Sequence, residues 1–519
     1  MKGIAAAAAA AFLLCGLGSS QPGLTIDEGL NVRPGVVLVR AEWQSGLATL
    51  SPSLQSEIFT ELQPHDYPPL GRVVLGLAHE AVVAVRGSHA TGSPGGIDVT
   101  AARWGSAACF GLTIALVGWF TLRWAGSLAG LAAAVAMLTT PRLLAHAQIA
   151  SIETVLNLVY AACVLITADR LAVTPTPKRA AACGVLWGLV LLTKIQAVLI
   201  PVPLRAWMFW QHRGRALQPL AVYAAVGLAV FVVGWPWLWG DPIGRTLAYF
   251  GQGTERIVLH ATYFGQVIED RAVPWHYPFV MFALTTPLIW LALGCYGLGT
   301  HRTDARTQLV AGTAAFAVLF FALPGIVVYD GPRLFLVAFP LWAILAGAGG
   351  ATAWAKLKPK ARRIAAGLAI GLPLLHLILL SPCWLSYYAI GAGPAAAIGM
   401  EATYWGDSLT PALVEDAVTD DATGSLLLVT PSLHLGQLSE QEAHLPRTGV
   451  RVAALGDDAV DDAEATSLLV FARRADLPLK RLARRLLGTP TGGSVDGWTV
   501  RRTVVREGAV LAVWATREP

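Results

Sequence analysis

Leu217–Trp235 reads LQPLAVYAAVGLAVFVVGW, nineteen residues without a charge. A bilayer core about 30 Å thick takes about 20 apolar residues per helix, so this stretch predicts a membrane span. Its flanks agree. Arg213 and Arg215 precede it, and Trp235, Trp237 and Trp239 close it, a basic end and an aromatic belt. The same reading predicts spans at 3–18, 101–122, 127–145, 152–168, 180–193, 195–211, 217–235, 278–298, 308–326, 334–350 and 364–381, about 11 in all. The short pair 180–193 and 195–211 reads as a helical hairpin or one merged element. Met1-Lys2 and the alanine run Ala5–Ala11 also fit a cleaved signal peptide. Either way the chain after Ser19 emerges on the outer face.

Composition supports lipid as the main solvent. The 519 residues are 55% hydrophobic and only 14% charged, with a mean hydropathy of +0.56; soluble domains carry about 25% charged residues. A net charge of +5, with no basic tract interleaved with aromatics, excludes a nucleic-acid partner. Five of the six cysteines lie in apolar runs and none forms a CxxC pair, so neither a disulfide framework nor a structural metal is implied.

Charges between the runs set the orientation. Arg123, Arg170, Lys178, Arg179, Arg213, Arg215, Arg302, Arg306 and the cluster Lys356–Arg363 occupy every second loop. The positive-inside rule makes those loops cytoplasmic. Loops 19–100, 146–151, 236–277, 327–333 and everything after 382 then face outward. The expectation is a multi-pass protein of the cell (inner or plasma) membrane, N-terminus cytoplasmic and C-terminal domain extracytoplasmic.

The fold class is thus an all-α polytopic membrane domain over 1–383, followed by a small α/β extracytoplasmic domain over 384–519. Residues 69–86 predict an amphipathic helix lying along the interface, and Ile243–Phe250 a half-buried helix. Acidic pairs (Asp420-Asp421, Asp457-Asp458, Asp461-Asp462) mark the change of character near 384. Strands are expected at Leu426–Thr430, Val450–Ala454 and Leu468–Phe471. A hairpin pairs Trp498–Val505 with Val510–Ala515, and a helix covers Leu479–Leu487.

Ionisable groups at the ends of spans are functional candidates. Asp27 and Glu28, in Thr25–Asn31 (TIDEGLN), fall about nine residues past the first span, where a carboxylate can take a proton from a hydroxyl or cap a helix. His65–Arg72 (HDYPPLGR) supplies His65, Asp66, Tyr67 and Arg72 around a rigid Pro68-Pro69. Glu153 opens a span, where capping also explains an acid. Lys194, Arg256, His276 and Tyr277 occupy outer segments, and Tyr329–Phe335 (YDGPRLF) adds Tyr329, Asp330 and Arg333. An Arg at the outer end of a span runs against the positive-inside bias, so an anionic ligand or an internal partner such as Asp330 must compensate it. Acids beside the first span and cations from several loops suit a hydroxyl acceptor and a phosphate leaving group.

The order of these motifs resembles membrane glycosyltransferases of the GT-C fold, in the group of protein O-mannosyltransferases and aminoarabinose transferases. The likeness runs over residues 1–350 and rests on Asp27-Glu28, Pro68-Pro69-Leu70, Ala147–Leu156 (AQIASIETVL), Leu192–Ile195 (LTKI), Pro274–Pro278 (PWHYP) leading into Thr285–Pro287, and Arg333 before a span. The resemblance implies a polyprenyl-phosphate-sugar donor and an inverting single displacement. Asp27 becomes the catalytic base and Glu28 an aid to the acceptor. Arg72, Lys194, Arg256 and Arg333 become contacts to the donor phosphate. His65, Asp66, Tyr67, Glu153, His276, Tyr277, Tyr329 and Asp330 line the pocket. Tyr67 stands where aminoarabinose transferases carry a Lys. The implied partners are the lipid-linked donor, membrane lipid and an acceptor protein, lipid or glycan. No cofactor motif is present, though a divalent metal bridging Asp66 or Glu28 to His276 is compatible with the residues. A transporter or flippase, and a non-catalytic scaffold, are the competing readings. Transporters place polar or broken helices at the midplane, whereas the mid-span residues here are Ala, Leu and Val.

Overall fold

The computed structural model describes all residues except 47, 49–50, 62–66, 88–96, 252–257, 420–425, 431–450, 456–464, 477–480 and 518–519. The predicted His65, Asp66 and Arg256, and the three acidic pairs, lie outside the described residues.

Each of the eleven apolar segments is helical, but they do not make eleven simple spans. Six helical stretches among the described residues are long and apolar enough to cross a membrane: Val99–Ala125, Ile152–Leu171, Ile195–Val233, Ala305–Ala322, Ala338–Lys356 and Pro359–Leu380. The number rises to eight if each of two bent pairs counts as one span. Ser127–Leu138 and Pro141–Gln148 meet at 62°, and Tyr277–Thr285 and Leu288–His301 at 113°. Pro141 and Pro287 explain the breaks, because proline lacks the N–H that an interior turn needs. Lys2–Leu17 is apolar but shorter.

The basic loops gather at one end of the bundle. Arg123, Trp124 and Arg306 converge on Asp169, at 3.2, 3.0 and 3.6 Å, and Arg179 donates to the Arg170 carbonyl at 3.3 Å.

At the opposite end two helices, Ile26–Ser45 and Pro69–Arg86, pack against each other. The second is the expected amphipathic helix. Gly35 and Gly76 make the crossing tight: a Cβ at Gly35 collides with the Arg72 carbonyl, and one at Gly76 with the Gly35 carbonyl. The expected helix near 243–250 is Pro242–Gly251, and a short antiparallel hairpin (His260–Tyr263 with Gln266–Glu269) follows it.

The C-terminal sheet has six strands in the order Arg451–Ala454, Leu426–Thr430, Ala465–Phe471, Ala509–Arg517, Trp498–Arg506 and Ser494–Val495. The first three are parallel and the rest antiparallel. Helix Arg481–Leu487 packs on it. The connecting stretch 384–409 is largely buried against the helical body through Tyr387, Tyr388, Tyr404 and Trp405.

Candidate active site

The site begins at a helix cap. Thr25 caps Ile26–Ser45, and Glu28 closes a capping box with the Thr25 N–H at 2.9 Å. Asp27 and Glu28 are adjacent, and the turn of the helix sends them to different places. Glu28 points inward and is fully buried. Arg103 grips both its oxygens at 2.7 Å, and the Ala150 N–H adds a bond at 2.7 Å. The expected role of Glu28 at the acceptor is therefore corrected: it welds the first helices together. Both Glu28 oxygens are thus engaged, and of the two acids considered for a metal bridge to His276 the other, Asp66, lies outside the described residues.

Asp27 faces the other way, toward the guanidinium of Arg333. Arg333 sits in a one-turn helix, Arg333–Phe335, just after a tight loop in which Asp330 and Gly331 have φ of +55° and +61°. Three carboxylates meet on it, Asp330 from the same loop and Asp27 and Glu153 from distant segments. Its Nε donates to Glu153 Oε1 at 2.8 Å, its Nη1 to Asp330 Oδ2 at 3.0 Å, and its Nη2 to Asp27 Oδ2. The guanidinium lies 4.4 Å from the ring centroid of Trp405, a cation–π seat. Lys194 donates to Glu153 Oε1 at 2.5 Å, and Ser151 Oγ to Glu153 Oε2 at 2.8 Å. His146 bridges Ser151 Oγ at 3.1 Å and Tyr404 Oη at 3.2 Å.

Exposure separates the three acids. The Asp27 side chain is 14% exposed, those of Glu153 and Asp330 only 2% and 3%. Asp27 is thus the carboxylate an incoming group reaches. Its Oδ1 makes no hydrogen bond among the described residues. Burial, with Glu153 and Asp330 nearby, holds its pKa above the ordinary aspartate value despite the opposing charges of Arg333 and Lys194.

The other predicted residues divide. Tyr67 lies between two cations, with Lys194 Nζ and the Arg72 guanidinium each 5.3 Å from its ring centroid. Arg72 is buried and donates to Asn31 Oδ1 at 3.3 Å; it braces the helix crossing. Tyr329 packs beside Arg333, 5.8 Å from its ring centroid. Tyr277 is buried and packs edge-on to Tyr263, with ring centroids 5.0 Å apart. His276 bonds Tyr263 Oη at 2.7 Å. Among the described residues no group of three or more His, Cys, Asp or Glu could hold a metal ion.

Three site residues lie outside the candidate set named from the sequence. Trp405 donates Nε1 to Asp330 Oδ2 at 3.1 Å, Tyr404 reaches His146, and Arg473 pairs with Asp330 Oδ1 at 3.1 Å. The signal for the first two is Gly399–Asp407 (GMEATYWGD), an unusual stretch whose acid and aromatics read either as facing the acceptor or as a structural hairpin or domain anchor. Arg473 has none, since its partner is over a hundred residues away.

Helices in this arrangement, with a carboxylate–guanidinium cluster at one end, define a multi-pass membrane protein of the GT-C fold. The chain is similar to ArnT from Cupriavidus metallidurans in the apo state, at a TM-score of 0.51 and 14% identity, covering 98% of this chain and 97% of that one. The structure of the same ArnT bound to undecaprenyl phosphate gives 0.49 and 14%, over the same shares. Archaeal oligosaccharyltransferase AglB from Archaeoglobus fulgidus, in complex with an inhibitory peptide and a dolichol-phosphate, gives 0.45 and 11%, covering 92% of this chain and 72% of that one. No family model matches the sequence, and no curated protein matches it.

Proposed function

We propose that this chain is an integral membrane glycosyltransferase that moves a sugar from a polyprenyl-phosphate-linked donor to an acceptor hydroxyl on the outer face of the membrane. The convergence of Asp27, Glu153 and Asp330 on Arg333, with Lys194 alongside, carries the reading. It sets a reachable, proton-accepting carboxylate beside cations suited to a phosphate.

In the reaction the acceptor oxygen attacks the anomeric carbon opposite the phosphate and gives its proton to Asp27 Oδ1. The bond from that carbon to the phosphate oxygen breaks, the electron pair leaves with the phosphate, and the configuration inverts. A raised pKa makes Asp27 a stronger base than a solvated aspartate. Lys194 spends one of its three donors on Glu153 and neutralises charge on the departing phosphate, joined by Arg333. A mainly apolar pocket of about 360 Å³ opens among residues that directly follow these cations in sequence. It is lined by Ile195 and Gln196 next to Lys194, by Leu334 next to Arg333, and by Phe320, Phe321 and Arg271. It suits the first isoprene units of the donor. Residues 1–383 form the membrane part and 384–519 the outer part, with the basic loops cytoplasmic and the N-terminus inside.

The test is transfer of radiolabelled sugar from a polyprenyl-phosphate-sugar by the purified chain in vesicles. The reading predicts label in a lipid, glycan or protein acceptor; intact donor after prolonged incubation with membrane extract contradicts it.

A further inference from the structure

We infer that Arg473 is a positioning residue for this reaction centre, so that the C-terminal sheet completes the site the membrane helices build. It follows strand Ala465–Phe471 by two residues and its side chain is 3% exposed. All three nitrogens of its guanidinium are engaged. Nη2 pairs with Asp330 Oδ1 at 3.1 Å, Nε with Asp476 Oδ2 at 2.8 Å, and Nη1 donates to the Tyr404 carbonyl at 2.8 Å.

An arginine that only docked the sheet would be satisfied by Asp476 and a backbone carbonyl. This one spends Nη2 on the acid that orients Arg333. Asp330 divides its oxygens, Oδ1 to Arg473 and Oδ2 to Arg333 and Trp405. Its left-handed backbone is a conformation that persists only where surrounding contacts over-determine it. Tyr404, whose carbonyl holds Arg473, also bonds His146, which leads through Ser151 to Glu153. Arg473 therefore grips both arms of the network around Arg333.

The groups facing Asp27 are Arg333 and Lys194 on the cationic side and Glu153 and Asp330 on the anionic side. Neutralising Asp330 with Arg473 leaves the Arg333 charge shared between Asp27 and Glu153. Without Arg473, Asp330 draws Arg333 toward itself, and Asp27 keeps its proton to higher pH.

The experiment uses the full chain in vesicles and two readouts. Dicyclohexylcarbodiimide reacts with protonated carboxyl groups, so peptide mapping by mass spectrometry across a pH series gives the protonation midpoint of Asp27 without any sugar transfer. The second readout is the transfer rate, which rests on the function proposed above. Arg473→Gln is expected to raise the labelling midpoint by about one pH unit, a tenfold change in protonation ratio, and to lower kcat about tenfold or more. Arg473→Lys keeps the charge but has one nitrogen for three contacts. It returns the midpoint to the wild-type value while recovering only part of kcat. Arg502→Gln, on an exposed face of the sheet, leaves both unchanged. A folded Arg473→Gln protein with the wild-type midpoint overturns the inference. If the Gln variant does not fold, Arg473→Lys decides: reduced kcat at an unshifted midpoint supports the role, and unchanged kcat removes it. If the wild type transfers no sugar, the proposed function falls, and the labelling series still decides on Arg473.

Discussion

Asp27 and Glu28 are neighbours with opposite duties, and the difference lies in helix phase. Glu28 is buried with two charge-assisted bonds to Arg103. Removing one partner of such a pair strands the other charge and costs about 3–5 kcal/mol. Glu28→Gln should therefore lower the thermal midpoint by several degrees and reduce folded yield, measured by thermal unfolding in detergent. Asp27 behaves differently with pH. Its carboxylate form accepts the proton, and its pKa is raised by burial and by Glu153 and Asp330. Activity should fall as pH falls through a value above the ordinary 3.8, seen as an acid limb in kcat/KM against pH. A rate independent of pH across that range would contradict the assignment. The sequence carried part of this distinction: Thr25-x-x-Glu28 is the pattern of a capping box, which marks Glu28 as a helix-start residue. It did not carry the bond to Arg103, which joins separate helices 75 residues apart.

At the scale of elements, apolar character and length made the helical segments legible, because lipid imposes one strong constraint on composition, but not how many of them are long enough to cross: six to eight among the described residues, against about 11 expected. The bends at 127–148 and 277–301 were less legible. Proline marks a break, but the angle depends on what the second half packs against. The hairpin at 260–269 is short, and four residues per strand give little pattern to read. The helix 69–86 was readable from its amphipathic face; its close crossing with Ile26–Ser45 was not. That crossing needs Gly35, where a Cβ meets the Arg72 backbone. Gly35→Leu should drive the two helices apart, shift Asp27 relative to Arg333, and cost about 1–3 kcal/mol or more, as overpacking does. The checks are the thermal midpoint and transfer rate measured together. Loss of both is the expected result, and a stable, fully active Gly35→Leu protein contradicts the packing.

Over the whole molecule the site is assembled from helix Ile26–Ser45, other stretches of the helical body, the connecting stretch 384–409 and the C-terminal sheet. Motif order showed which stretches to bring together, and the fold places Asp27, Glu153, Lys194, Asp330 and Arg333 in one cluster. The contribution of the sheet was illegible, because it depends on tertiary docking with no local signature. That docking should respond to pH. Burial pushes Glu401 up to about 7 and Asp407 up to about 6, from ordinary values of 4.5 and 3.8. A carboxyl with a raised folded-state pKa favours folding while protonated, so its contribution is present at low pH and declines as pH rises from the unfolded value through the folded one. Glu401 accepts from Thr262 and from the Arg474 and Ala475 N–H groups, tying the sheet to the 260–263 strand. Limited proteolysis should release the C-terminal region faster at pH 8 than at pH 6, and equal rates would contradict this. Whether Asp27 is the base is decided by sugar transfer from a polyprenyl-phosphate-sugar by the Asp27→Asn protein. A rate lower by about 10²–10⁴, at a thermal midpoint close to the wild type, is expected. Wild-type transfer by the folded variant removes Asp27 from that role.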